Sequence, residues 1–158
     1  MVESGRKWGM YMFMGEYRHS IDDKGRLIIP SKYRGELGDS FIVTRGLDNC
    51  LFVYSLDSWE TLTSTLKKLP FTKQNARYFN RFLLSGATVV DLDKQGRINI
   101  PSTLTSFASL IKECVVIGMN DHLEIWAKEK WENFLDENND KLSDIAENLF
   151  SGDIDIGV

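Results

Sequence analysis

The sequence has no apolar run approaching the roughly 20 residues that a helix needs to span a bilayer. It has no charged start followed by an apolar stretch and a small-residue cleavage site, so no secretory signal of that type is present. Cysteine is scarce: Cys50 and Cys114 are the only two, far apart and in no CxxC pair. They read as reduced, partly buried thiols of a cytosolic protein, with one disulfide between them as the open alternative. Histidine is as scarce. His19 and His122 are the only two, and neither stands at a metal-ligand spacing. There is no GxxxxGK[ST], no GxGxxG after a strand and no GxSxG. Asp91 and Asp93 are close carboxylates, but they sit beside a turn, where capping backbone N–H groups is the ordinary use. Trp59, Trp126 and Trp131 fall at apolar positions of expected elements and read as core. With no convergent nucleophile, base or metal set, the sequence reads as a non-enzyme that uses no cofactor, metal or small-molecule substrate.

What is present is an ordinary globular composition, 42% apolar and 27% charged, and one uneven charge distribution. The net charge of −4 argues by itself against nucleic acid. Residues 129–158, however, hold nine acids and two bases, a local −7, which leaves +3 on residues 1–128. A basic patch has room there. The first eleven residues stand apart. Met1, Met10, Met12 and Met14 are four possible starts, and Arg6-Lys7-Trp8-Gly9 would be encoded by the purine-rich tract of a ribosome-binding site. Residues 1–11 therefore read as a translated leader without fixed structure, and residues 151–158 as a loose tail.

The dominant feature is internal repetition. IDDKGRLIIP begins at Ile21, and LDKQGRINIP begins at Leu92, 71 residues later. Asp22, Gly25, Arg26, Ile29 and Pro30 match Asp93, Gly96, Arg97, Ile100 and Pro101. Gly46, Leu51 and Trp59 match Gly118, Leu123 and Trp131 at an offset of 72. Two copies are too few for a solenoid. They suggest a first repeat over 12–85 and a second over 86–150, completing each other in one pseudo-twofold domain.

Local patterns give the same layout in each half. Glu16–Ile21 and Arg26–Ile29 read as a hairpin around a glycine turn, followed by a short helix over Ser31–Leu37. Phe41–Arg45 and Leu51–Tyr54 form a second hairpin. A helix starting at Asp57, with Glu60 completing a capping box, turns Trp59, Leu62, Leu66 and Leu69 inward. A helix capped by Thr72 turns Ala76, Phe79, Phe82 and Leu83 inward and ends at Gly86. In the second half Ala87–Leu92 pairs with Arg97–Ile100 and Val115–Ile117 with Leu123–Trp126. One helix carries Trp131, Phe134 and Leu135, and the last carries Leu142, Ile145, Ala146 and Leu149. Four short strands per half bury too little alone; two halves could close one small barrel.

Within the repeated turn, Asp22 suits acceptance of backbone N–H groups two or more residues on, and Gly25 takes positive φ without steric cost. Two compatible readings of Arg26 follow. In one it pairs internally with Asp22; in the other it reaches outward to DNA. Lys24 and Arg26 share one turn, Arg18 lies on the expected partner strand, and Lys32 and Arg34 follow. A β-ribbon fits the major groove, where arginine grips phosphate or guanine.

MFMGEYRHSIDDKGRLIIPSKYR, FIVTRGLDNCLFVYSLDSWE, RFLLSGA and LDKQGRINIPSTL together resemble the MraZ family, bacterial DNA-binding regulators built from two tandem AbrB-type units. The resemblance covers residues 12 to about 150. It implies an α+β, mainly β fold: a swapped-hairpin (double-split) β-barrel with peripheral helices. It also implies ring oligomers that bind direct repeats of double-stranded DNA upstream of their own division and cell-wall gene cluster, usually as repressors, in the cytoplasm and with the nucleoid. By the match, Arg26 is the position most tied to DNA, with Lys24 and Arg18 as basic neighbours. Asp22, Gly25, Asp93 and Gly96 fix the turns. Arg97 is the second-copy counterpart, with Lys94 nearby and Gln95 where the first copy has Lys24. Phe71, Tyr78 and Phe134 are candidates for contacts between subunits. A ring-forming adaptor that binds a protein partner through its acidic helices is the alternative.

Overall fold

A computed structural model describes residues 12–151 of the chain. The leader over 1–11 and most of the 151–158 tail lie outside the described residues. Those described form eight strands and six α-helices. In chain order they are β1 (Glu16–Ser20), β2 (Arg26–Ile28), α1 (Ser31–Leu37), β3 (Ser40–Arg45), β4 (Leu51–Ser55), α2 (Leu56–Lys67) and α3 (Gln74–Ser85). The second half follows with β5 (Thr88–Asp91), β6 (Arg97–Asn99), α4 (Ser102–Phe107), β7 (Glu113–Gly118), β8 (Leu123–Ala127), α5 (Lys128–Asn138) and α6 (Leu142–Leu149). Contacts divide the chain into a larger unit ending at Lys128 and a smaller one beginning at Glu129.

The larger unit is an α+β structure. Its six-stranded antiparallel sheet has the order β1-β7-β8-β4-β3-β5, and β2 and β6 form a separate two-stranded ribbon. β1 and β5 are the end strands, so the sheet does not close into a ring of hydrogen-bonded strands. Exchanging the two halves turns the strand order into its own reverse. The registers obey the same rule. β4 and β8 pair around Phe52↔Glu124, and β2 and β6 pair around Leu27↔Ile98. Both central pairs are repeat-equivalent positions, so a pseudo-twofold axis passes through them.

The first expected hairpin of each repeat differs from what forms. β1 does not pair with β2, nor β5 with β6. β1 pairs with β7, for example Arg18↔Val115, and β5 pairs with β3, for example Val90↔Phe41. Each half thus lends its opening strand to the other half's hairpin. The reason is burial. Leu27 and Ile98 face each other at the axis, 0% and 1% exposed, an arrangement that a self-contained half could not make. β3 pairs with β4 and β7 with β8, as the sequence predicts. The β3–β4 turn places Asp48 and Asn49 at φ +65° and +61°, the left-handed region these residue types tolerate.

The core gathers alternate strand residues from both halves, among them Phe41, Val43, Leu51, Val53, Val116, Leu123 and Ile125, with Tyr33, Leu37 and Leu104 from the short helices. Tyr33 donates its hydroxyl to the Met14 carbonyl, and burial pushes its phenol up to about 12. Cys50 and Cys114 are fully buried free thiols.

The outer helices start differently from expectation. α2 is capped by Ser55, whose hydroxyl accepts from Ser58 N–H at 3.2 Å, rather than by Asp57; Ser55 ends β4, so the strand runs straight into the helix. Only Leu66 of its expected apolar face is buried, and Leu69 lies beyond its end. α3 is preceded by Lys73 with no side-chain cap. Thr72 instead offers its carbonyl to Arg77 at 3.2 Å. Leu83 is buried there, while Ala76, Phe79 and Phe82 are half-buried. α3 is anchored by the buried Thr44 hydroxyl, which donates to the Leu83 carbonyl at 2.6 Å. In the smaller unit, Trp131 stacks on Phe134 at 5.5 Å between ring centres. Leu142, Ile145 and Leu149 have the predicted one-face spacing but are exposed. Among the described residues no helix is long and apolar enough to cross a membrane.

Candidate nucleic-acid interface

Each repeated turn is built by its own aspartate. Asp22 Oδ1 accepts from the backbone N–H of Lys24 at 3.0 Å and of Arg26 at 2.8 Å, and Oδ2 accepts from Arg26 Nε at 2.6 Å. Asp93 repeats the set with Gln95 N–H at 2.8 Å, Arg97 N–H at 2.9 Å and Arg97 Nε at 2.9 Å. The Arg26 backbone N–H is the main reason that the Asp22 carboxyl lies below the usual carboxylate range, with its guanidinium adding to the effect against partial burial. The Arg97 backbone N–H does the same for Asp93. Gly25 and Gly96 sit at φ +83° and +77°. Their carbonyls cross over: Gly25 C=O accepts from Ile100 N–H at 2.8 Å, and Gly96 C=O from Ile29 N–H at 2.9 Å. The two turns therefore interlock, one from each half.

The internal and outward readings of the arginines coexist. The aspartate occupies Nε alone. Among the described residues, the Nη groups of Arg26 and Arg97 have no hydrogen-bond partner, and both side chains are about one-third exposed, at 35% and 27%. Strand alternation decides where they point. In the ribbon, Arg26 is opposite Asn99 and Ile28 is opposite Arg97. These four share one face, and Leu27 and Ile98 share the buried one. Arg26 and Arg97 are diagonal neighbours, about 7–8 Å apart by ladder geometry. The ribbon that carries the arginines is thus made by one strand from each half, not by the β1–β2 hairpin of the sequence reading.

The remaining basic residues separate. Lys24 and Lys94 are exposed at the turn tips. Arg18 lies on β1 in the large sheet, where it pairs with Glu16 at 2.9 Å. A surface notch of about 290 Å³ there is lined by Arg18, His19, Ser20, Glu113 and Lys128. Arg34 has a role that sequence reasoning missed. Its Nε donates to the Ile29 carbonyl at 2.8 Å, and its guanidinium lies over Gly96 so closely that a Cβ there would collide with it. It clamps the second turn from the first half. The repeat-equivalent residue is Thr105, so the clamp is one-sided. Among the described residues, no three His, Cys, Asp or Glu side chains come together to hold a metal ion.

The family model described as "MraZ protein, putative antitoxin-like" matches the chain twice, over residues 12–82 and 83–152. The chain belongs to the MraZ family. It is 55% identical over 143 residues to the protein named transcriptional regulator MraZ from Ligilactobacillus salivarius (strain UCC118), covering 90% of this chain and all of that relative. The two family matches each contain one Asp-x-x-Gly-Arg turn, so the interlocked pair joins the two family units.

Proposed function

We propose that the protein is a sequence-specific DNA-binding transcriptional regulator, a repressor of its own division and cell-wall gene cluster. In this reading it binds direct repeats upstream of that cluster through the β2–β6 ribbon. The observation that carries the reading is the ribbon's outer face. Two arginines, one from each half, are held by their aspartates through Nε while their Nη groups have no partner among the described residues. A two-stranded ribbon fits the major groove, and a pre-oriented guanidinium suits phosphate or guanine. Lys24 and Lys94 at the tips add phosphate contacts. The relative named as a transcriptional regulator supports the same reading.

The topology supports the finer fold reading, a swapped-hairpin barrel from repeats 12–85 and 86–150, because each half lends a strand to the other. Few bases per subunit imply weak binding by one copy. A ring reading several repeats gains a factor of roughly 10² to 10⁴ by tethering. The exposed Phe71 and Tyr78, with Phe134, are the candidates for contacts between subunits. The protein then acts in the cytoplasm, associated with the nucleoid.

The test is fluorescence anisotropy with DNA from upstream of the protein's own gene and scrambled DNA as control, at two salt concentrations. Wild type prefers the native DNA and weakens with salt, while Arg26→Ala loses binding with its solution mass unchanged. Equal, weak binding of both DNAs overturns the reading. It would favour an adaptor that docks a protein on the exposed Leu142, Ile145 and Leu149 stripe.

A further inference from the structure

The ribbon's pseudo-symmetry is broken at one position on its outer face. An axis through Leu27↔Ile98 relates Arg26 to Arg97 and Ile28 to Asn99. The arginines are the same residue twice; the other pair is an aliphatic side chain and a carboxamide. Both lie on the face opposite the buried Leu27 and Ile98, Ile28 half-buried and Asn99 exposed. The Asn99 side chain reaches over the first turn, its Oδ1 3.3 Å from where a Cβ on Gly25 would stand. Among the described residues it makes no hydrogen bond, so its carbonyl and both amide hydrogens are available.

We propose that Asn99 and Ile28 are the residues that read base identity, and that their inequivalence makes each subunit read an asymmetric site. This rests on the DNA-binding function proposed above. The arginines repeat under the axis, so they alone would read a symmetric site, as a twofold protein reads a palindrome. Asparagine offers the paired donor and acceptor that match adenine N7 and N6–H₂ in the major groove, and an aliphatic side chain fits the thymine methyl. Placed diagonally on one ribbon face, they read two different base pairs, one on either side of the axis. The arginines then set affinity and position, and Asn99 and Ile28 set sequence and polarity. Lys24 and Gln95, and likewise Asp23 and Lys94, are inequivalent too, but they lie at the turn tips rather than on the ribbon face, and each half keeps one tip lysine for phosphate.

The experiment measures anisotropy of the full chain on the upstream DNA and on a panel in which each base pair of one repeat is replaced in turn. Wild type, Asn99→Ala, Ile28→Ala and Arg26→Ala are compared, with scrambled DNA and two salt concentrations. Asn99 is exposed, so its removal leaves folding intact; far-ultraviolet circular dichroism checks both ribbon variants. Wild type loses about 5- to 150-fold when the adenine pair is replaced. Asn99→Ala flattens that one position to less than about threefold while keeping the salt slope and scrambled-DNA binding. Ile28→Ala flattens a different, thymine-containing position. If Asn99→Ala and Ile28→Ala keep the wild-type base profile while Arg26→Ala abolishes binding, DNA reading stands and this assignment falls. Equal wild-type binding to native and scrambled DNA removes both.

Discussion

Replacing Gly25 by alanine tests whether the interlocked turns hold the two halves together. At φ +83° a residue with a Cβ costs about 1–2 kcal/mol. That Cβ would stand 2.6 Å from the Ile100 carbonyl oxygen, which is backbone of the other half and cannot swing aside. Relief of the clash must lengthen the 2.8 Å Ile100 N–H to Gly25 C=O bond, worth about 0.5–1.5 kcal/mol. The sum is about 1.5–3.5 kcal/mol, a large share of the 5–15 kcal/mol of an ordinary domain, and lowers Tm by roughly 3–14 °C. Two other glycines calibrate the estimate. A Cβ on Gly35, inside α1, meets nothing within 4 Å, so Gly35→Ala stabilises by about 0.5–1 kcal/mol. A Cβ on Gly96, at φ +77°, would first strike the Arg34 guanidinium, 2.1 Å away, so Gly96→Ala also destabilises and displaces the Arg34 clamp. Urea unfolding followed by tryptophan fluorescence, at one fixed protein concentration because assembly shifts apparent stability, gives all three values. Gly25→Ala within about 0.5 kcal/mol of wild type, or costlier replacement at Gly35, refutes the interlock as a stabilising element.

Three further outcomes are expected. Asp22 and Asp93 have folded-state pKa values below the usual 3.8, so their contribution is complete above that value and is lost as pH falls below it through the folded values; urea midpoints of wild type and Asp93→Asn should differ constantly from pH 7 to 5 and converge below about pH 4. Cys50 and Cys114 are 0% exposed, and burial pushes the Cys114 thiol up to about 11 and the Cys50 thiol higher still, so a thiol reagent at pH 8 should label neither until denaturant is added. Thr44→Val removes the buried donor to the Leu83 carbonyl and leaves that acceptor unsatisfied, which should cost about 1–3 kcal/mol in urea unfolding.

Much of this molecule is legible from the chain because its determinants are local. The Asp-x-x-Gly-Arg spacing specifies the turn, since the aspartate's acceptors and the glycine's positive φ act within five residues. The β3–β4 and β7–β8 hairpins follow from alternation around turn-forming residues. Ser55 and Asp57 are both good N-cap residues two positions apart, so the local sequence does not separate them. Only the point where β4 stops extending selects Ser55, and that is set by its pairing with β3.

Strand partnership is a different kind of information. The turn closes on itself through Asp22 N–H to Arg26 C=O at 3.1 Å and Gly25 N–H to Asp22 C=O at 3.1 Å, the same first bonds that a continuing hairpin would make. Nothing within Ile21–Pro30 distinguishes a turn whose arms stay together from one whose arms part. That choice belongs to the repeat as a whole. With two near-identical halves, every strand has an equivalent partner in the other copy, and pairing across the copies places Leu27 against Ile98 at the axis. A repeat found by matching residues shows that two units exist; it does not show whether they sit side by side or through one another. The same crossing brings Arg26, Ile28, Arg97 and Asn99 onto one face although 71 residues separate the two strands. Asn99 is inconspicuous in LDKQGRINIP, where the eye falls on Arg97. It becomes a candidate reader only when the register shows that its symmetry mate is an isoleucine.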